Sequence, residues 1–371
     1  IRKIIKNEKV DDIDLATNLE PELVCEALKK NNIKFYKSGI EHGTITALID
    51  NYKFEITTLR EDVSTDGRHA KVKFSKDWKK DASRRDFTFN SIYSDINGNL
   101  FDPYGGKKDL ENGLVNFIGD VDERIKEDYL RILRYIRFFL IYSSNQHDQE
   151  IISKLKMNIQ GVLKLSKERL LDELKKISKI QILEKLAKDK TCKDLIQSLF
   201  PELKNIIIFS KLNSDKRKIF ENSDFIFILS LLIIDETDNL DYFLFKFNVS
   251  NHDKKRMKIM DDFFKEKSNP KLFSELNMNK VFYYDGKQAA IDILNYKIIK
   301  SNKSETSLNE LINFYKTKSK PKLPISADLL MTKYNIPEGR ELGKKLKLIE
   351  KEWVKNNFEI SGKQINSILK T

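Results

Sequence analysis

The chain has 371 residues, 40% of them apolar and 33% charged, which suffices for two or three packed domains and excludes a disordered tail. Two distant cysteines, Cys25 and Cys192, and four scattered histidines offer neither a disulfide framework nor the spacing of a Cys/His zinc site, and suit a reducing cytosol. The longest apolar run, "FIFILSLLII" at 225–234, is half of the roughly 20 residues a membrane span needs and no signal peptide precedes the first charges, so a buried helix and a cytoplasmic location are expected, with no membrane partner and no protein partner evident.

The formal net charge is +12, and its placement is uneven. Residues 1–140 carry 25 Lys/Arg against 25 Asp/Glu, so the whole excess lies beyond them. Such a distribution fits chemistry in the first part and polyanion binding in the second, or simply a lysine-rich surface.

Taken in chain order, short β-type runs come first: "VDDIDLAT" at 10–17, then "IKFYKS", "GTITALID", "YKFEITTL" and "TFNSIYSD", interrupted by one helical stretch, "PELVCEALKKNN". The turns "DINGN" and "DPYGG" close this α/β segment. From Val121 the period is helical, beginning with "DERIKEDYLRILRYIRFFLIYSS". Pro201, Ser268–Pro270, "KTKSKPKLP" and "IPEGRELG" then punctuate at least two helical subdomains, with no internal repeat. The expected chain lacks an N-terminal piece, since it opens at Ile1 within a patterned segment.

Three clusters carry chemistry. On a strand, Asp12 and Asp14 face one side while Ile13 and Leu15 face the core, and Asp11 points away. Carboxylates held that close repel unless a cation such as Mg²⁺ lies between them; an exposed strand face is the plain alternative. Glu55, flanked by Phe54 and Ile56 on a second strand, is expected beside them, and three carboxylates could hold two metal ions. In "RRDFTFNSIY", Arg84 and Arg85 suit phosphate oxygens and Asp86 or Asn90 a ribose hydroxyl, ahead of a strand; a charged loop is the alternative. In "EDYLR", within one long helix, Glu127, Asp128 and Arg131 stand at i, i+1 and i+4, so Arg131 reaches both acids, in the simplest case as a surface ion pair.

In this order and at these separations, "VDDIDLAT", "GIEHGTIT", "FEITTLREDVSTDGRHAKV", "DASRRDFTFNSIY", "DPYGGKKDL", "RIKEDYLRILRYIRF" and "LSKERLLDEL" make the chain resemble bacterial class II tRNA nucleotidyltransferases, the CCA-adding enzymes, and their relatives the bacterial poly(A) polymerases. The resemblance implies an α/β nucleotidyltransferase head with a small mixed sheet (1–118), an all-α neck that reads the nucleotide base (119–180), and an RNA-binding helical body and tail (181–371). It implies Mg²⁺ on Asp12 and Asp14 with Glu55 assisting, and triphosphate and ribose handling by Arg84, Arg85, Asp86 and Asn90, with Arg2 on phosphate. Glu127, Asp128 and Arg131 would act as a protein template for CTP and ATP, and tRNA would be the acceptor. Residues 61–75, with Asp62, Asp66, Gly67 and Arg68, match the family's flexible loop, which favours complete CCA addition. Three positions depart from the family: its glycine pair falls before Ile1, Lys3 replaces an aspartate, and Asn7 stands where glycine is common. A poly(A) polymerase, or an RNA-binding member without catalysis, is the alternative.

Overall fold

The computed structural model describes residues 1–10, 13–65, 70–266, 271–301 and 306–370. Asp12, Asp66, Gly67 and Arg68 lie outside the described residues. Two compact units appear, Ile1–Phe200 and Pro201–Thr371.

The first unit opens with a single turn, α1 (Arg2–Ile5), and Asn7 after it takes φ +54°, a left-handed conformation that Asn tolerates better than most side chains. Four strands make a mixed sheet in the order β1 (Asp14–Thr17), β4 (Tyr52–Thr58), β3 (Thr44–Ile49) and β2 (Lys34–Gly39). Between β1 and β2 runs α2 (Pro21–Lys30), with Pro at its first turn, Glu22 near its N-terminus and Lys29 and Lys30 near its C-terminus. Its apolar stripe, Val24, Cys25 and Leu28, buries Ile45 and Ala47 of β3, with Ile56 of β4 alongside. Asp50 and Asn51, both at positive φ, form the two-residue turn that joins β3 to β4, which are paired in antiparallel register from Thr44–Thr57 to Ile49–Tyr52.

A hairpin of β5 (Arg60–Thr65) and β6 (Ala70–Phe74) follows, so the described part of the loop expected at 61–75 is paired strand. Next come α3 (Trp78–Ser83), the short pair β7 (Tyr93–Ser94) and β8 (Leu100–Phe101), and α4 (Gly106–Glu111). The strand expected across residues 87–92 is instead a 3₁₀ turn, Thr88–Asn90. Asp86 explains the difference: one of its oxygens accepts from both the Phe87 amide, at 2.9 Å, and the Asn90 side chain, at 2.8 Å, which curls the backbone. Gly106 packs on this turn so closely that a Cβ there would lie 2.2 Å from the Thr88 carbonyl oxygen.

The helices α5 (Val121–Glu127), α6 (Leu130–Tyr142), α7 (Gln149–Asn158), α8 (Lys167–Ile177), α9 (Ile180–Lys188) and α10 (Lys190–Leu199) complete the first unit. An aromatic cluster ties them to the head: Phe87 and Phe89 meet the ring of Phe138 edge-on at 5.4 and 5.3 Å, and Phe117 stacks on Tyr135. The long helix expected through "EDYLR" is two helices. Asp128 adopts φ −153° and ψ 103°, its carboxylate accepts from the Leu130 amide at 3.1 Å, and Tyr129 seats its ring against Gly161, where no Cβ would fit.

The second unit is helical throughout its described elements, from α11 (Ser214–Glu221) and α12 (Phe225–Ile233) to the last helix, Gly362–Lys370. The apolar run is α12, and residues 227–234 are buried. Near the C-terminus Leu330, Ile336, Leu342, Ile349 and Ile365 form their own small core. Among the described residues no helix is long and apolar enough to cross a membrane.

Candidate active site

Parallel pairing of β1 with β4 sets Asp14 directly opposite Glu55, and Thr46 continues the row onto β3. Both carboxylates are exposed. Neighbouring strands stand about 4.8 Å apart, so two hard oxygen donors share one face at a separation a divalent cation spans. The donor set therefore fits the metal implied by the resemblance. Ile13 and Leu15 depart from expectation: they are 54% and 44% exposed rather than core. The cause is position, because β1 is the outer strand and α2 covers β2 and β3, so the buried apolar row ends at Ile56.

Arg84 and Arg85 converge on a residue that the sequence reading passed over. Asp81, 1% exposed, accepts from Arg84 Nε at 2.9 Å and Arg85 Nη2 at 3.1 Å, from the Arg60 amide at 3.1 Å, and from the Tyr93 hydroxyl. Burial pushes its carboxyl up, but Arg85, Arg84 and Tyr93 outweigh that and hold it below the usual carboxylate range. The same pairing pushes the Tyr93 hydroxyl, already raised by burial, to about 12. A signal existed: Asp77 caps α3, and Asp81 stands one turn in, three and four positions before the arginines.

Asp86 and Asn90 belong to a second network. Asp86, 8% exposed, gives its other oxygen to Arg134 Nε at 2.6 Å. Burial pushes this carboxyl up too, and Arg134 and Asn90 bring it down further. Asn90 is held at both ends, donating to Asp86 and accepting from Arg2 Nη1. Arg2 also donates to the Tyr142 hydroxyl at 3.0 Å and lies 4.6 Å from the centre of the Phe138 ring. Thus Arg2, Asp86 and Asn90 come together, while Arg84 and Arg85 turn to Asp81.

The third cluster also differs from its i, i+4 reading. Glu127 does bind Arg131, at 2.6 Å, and Arg124 as well. Asp128 instead pairs with Arg169 of α8 at 2.7 Å, because the interruption of the helix rotates it out of the line of Arg131. Arg124 further donates to the Arg85 carbonyl, and Arg131 to the Arg124 carbonyl at 2.6 Å, which joins this cluster to the preceding one. Arg134 and Arg169 reach across from helices remote in sequence, and no local pattern marks them.

Residues 1–116 match the family described as Poly A polymerase head domain. The zebrafish (Danio rerio) protein named CCA tRNA nucleotidyltransferase 1, mitochondrial, is 30% identical over 394 aligned residues, covering 100% of this chain and 85% of that protein. Its human (Homo sapiens) counterpart is 46% identical over 180 residues, 48% of this chain, and that match spans only 42% of the human protein's length. Among solved structures, the Bacillus stearothermophilus CCA-adding enzyme in complex with CTP superposes with a TM-score of 0.75 at 19% identity, over 100% of this chain and 90% of that one, a likeness of fold. With 30% identity to the zebrafish protein along the whole of this chain and a matching head, the chain belongs to the class II tRNA nucleotidyltransferase family, that of the CCA-adding enzymes and poly(A) polymerases.

Proposed function

We propose that the chain adds C, C and A in turn to the 3′ end of tRNA, drawing on CTP and ATP. In each step the terminal 3′-oxygen bonds to the α-phosphorus of the nucleotide, the bond from that phosphorus to the bridging oxygen breaks, and pyrophosphate leaves. The observation that carries the reading is the Asp14–Glu55 pair, two exposed carboxylates in register on one sheet face. Mg²⁺ held by Asp14 and Glu55, with Asp12, would supply activation of the hydroxyl and neutralise the developing charge.

Arg2 and Asn90, backed by Asp86 and Arg134, are suited to the ribose and phosphate, with Arg84 and Arg85 braced by Asp81 behind them. Base choice is assigned to Glu127, Asp128 and Arg131. Cytosine and adenine each present an exocyclic amino donor beside a ring-nitrogen acceptor, whereas uracil and guanine present a carbonyl beside N–H. A carboxylate acceptor with a guanidinium donor satisfies the first pair and leaves the second unpaired, at about 1–3 kcal/mol per buried group. Glu127 fixes the Arg131 fork; Asp128, held by Arg169, has to exchange that partner for the base or act through it. The excess of lysine and arginine beyond residue 140 suits shape-based gripping of an A-form acceptor through its backbone.

The test is incorporation from each single nucleotide and from CTP with ATP, on tRNA ending at the discriminator base, beside D14A and E55Q controls. The expected product is two C residues followed by one A, lost in both controls while their circular dichroism is unchanged, since both side chains are exposed. A run of A on any RNA would move the reading to poly(A) polymerase, and RNA binding without incorporation would overturn catalysis altogether.

A further inference from the structure

Three side chains with metal-binding atoms, none of them part of the carboxylate face, converge within the first unit: His147, in the connection between α6 and α7; Asp189, which caps α10; and Cys192 in the first turn of that helix. His147 Nε2 lies 2.9 and 3.1 Å from the two Asp189 oxygens and 3.9 Å from Cys192 Sγ, and all three ligand atoms fall within 4.8 Å of one another. We propose that His147, Asp189 and Cys192 form a binding site for zinc or a similar borderline-soft divalent ion, which pins the end of α6 to the start of α10.

The geometry is close to what that ion requires. Zinc bonds of about 2.0–2.3 Å at tetrahedral angles separate nitrogen from oxygen by about 3.3 Å and nitrogen from sulfur by about 3.6 Å. The observed separations of 2.9–3.1 and 3.9 Å each lie within a few tenths of an ångström of these values, and the carboxylate-to-thiol separation, within 4.8 Å, closes by side-chain rotation. Charge also balances, because one carboxylate and one thiolate offset the dication and the imidazole stays neutral. The ring is held flat against Phe139, with centroids 3.9 Å apart, which fixes the direction of Nε2. Its Nδ1 is buried with no hydrogen-bond partner, so in the metal-free protein Nε2 carries the ring proton and donates it to the Asp189 carboxylate, and that proton has to move to Nδ1 when Nε2 takes the metal. Binding then releases only the thiol proton.

Asp189 also lines a cavity of about 360 Å³ with Ser143, Ser144, Asn145, Lys185 and Lys188, which gives a route for the ion and room for a water as fourth ligand. The choice of ion follows from the donors: a thiolate and an imidazole select zinc over magnesium, so the site does not compete for the ion expected at Asp14 and Glu55. Spacing concealed it, since 45 positions separate His147 from Cys192.

The test uses the full chain stripped of metal, in excess magnesium, titrated with zinc against a chromogenic chelator and, separately, with cobalt(II). One zinc per chain is expected, with a thiolate-to-cobalt charge-transfer band that persists in C25S and disappears in C192S and H147Q. A higher thermal midpoint on zinc addition is expected for the parent and not for those two variants. Should either variant fail to fold, the cobalt band measured in C25S alone decides the matter, because Cys192 is then the remaining thiol. No cobalt–thiolate band in C25S, or zinc stoichiometry unchanged by C192S and H147Q, would overturn the proposal and leave an ordinary His147–Asp189 hydrogen bond.

Discussion

Replacing Asp81 by Asn keeps the shape of the side chain and removes its charge. The carboxylate serves five donor contacts from Arg84, Arg85, Arg60 and Tyr93 while 1% exposed. In the variant, the amide oxygen can keep Arg84 and the Arg60 amide, but the amide nitrogen faces Arg85 Nη2, donor against donor, and two guanidinium groups lose their counter-charge. Losing the acceptor in a buried ion pair costs about 3–5 kcal/mol, and part of the network survives, so we expect about 3 kcal/mol, or roughly a hundredfold in the folded-to-unfolded ratio. Urea unfolding is followed by the fluorescence of Trp78, which packs edge-on against Tyr93 at 5.2 Å, with Trp353 replaced by Phe so that the signal comes from the first unit. The pH dependence separates charge from shape. Native Asp81 sits below its ordinary value of 3.8, so its contribution is complete above the unfolded value and is lost as pH falls through the lowered native one. The gap between parent and variant should be full at pH 7 and close progressively below about pH 4. A gap under about 1 kcal/mol at pH 7, or one that stays constant into the acid range, would refute the reasoning.

Two further outcomes follow from the same geometry. E127Q releases Arg131 and Arg124 from their shared carboxylate; incorporation of UMP relative to CMP should rise about tenfold, measured as a ratio of kcat/KM values, with the RNA-binding affinity unchanged. In G106A the new methyl meets the Thr88 carbonyl at 2.2 Å, a backbone atom that cannot swing aside; the urea midpoint should fall by an amount equivalent to about 2 kcal/mol, with KM for CTP rising because the displaced turn carries Asn90.

Much of this was legible from pattern. Alternation in "GTITALID" and "YKFEITTL" identified β3 and β4, and period-2 logic placed Glu55 on a strand where it could meet Asp14, as the register shows. The failures are those of tertiary context. Leu15 looked like core because its strand alternates, yet a strand's place at the sheet edge is not written in its own residues. Helix spacing also paired Asp128 with Arg131, at i, i+3, on the premise of a continuous helix, and the helix is interrupted there because Tyr129 finds its seat on Gly161 and Asp128 finds Arg169. Asp81 was within reach of the same rule applied one turn upstream. Local rules work where partners are local, and the partners of Asp86 and Asp128 come from α6 and α8.

The sheet order carries a consequence for how the molecule comes into being. β2, β3 and β4 pair as successive hairpins, each closing a short stretch of chain, but β1 has β4 as its strand neighbour and meets it in parallel. Its pairing with β4 is therefore the least local in the sheet, the kind that closes slowly because the most chain must be ordered first. Asp14 and Glu55 become neighbours only at that closing event. A head without that pairing would keep the β2–β3–β4 hairpins and lack the paired carboxylates, so the proposed metal site depends on the completed sheet and on no single hairpin within it.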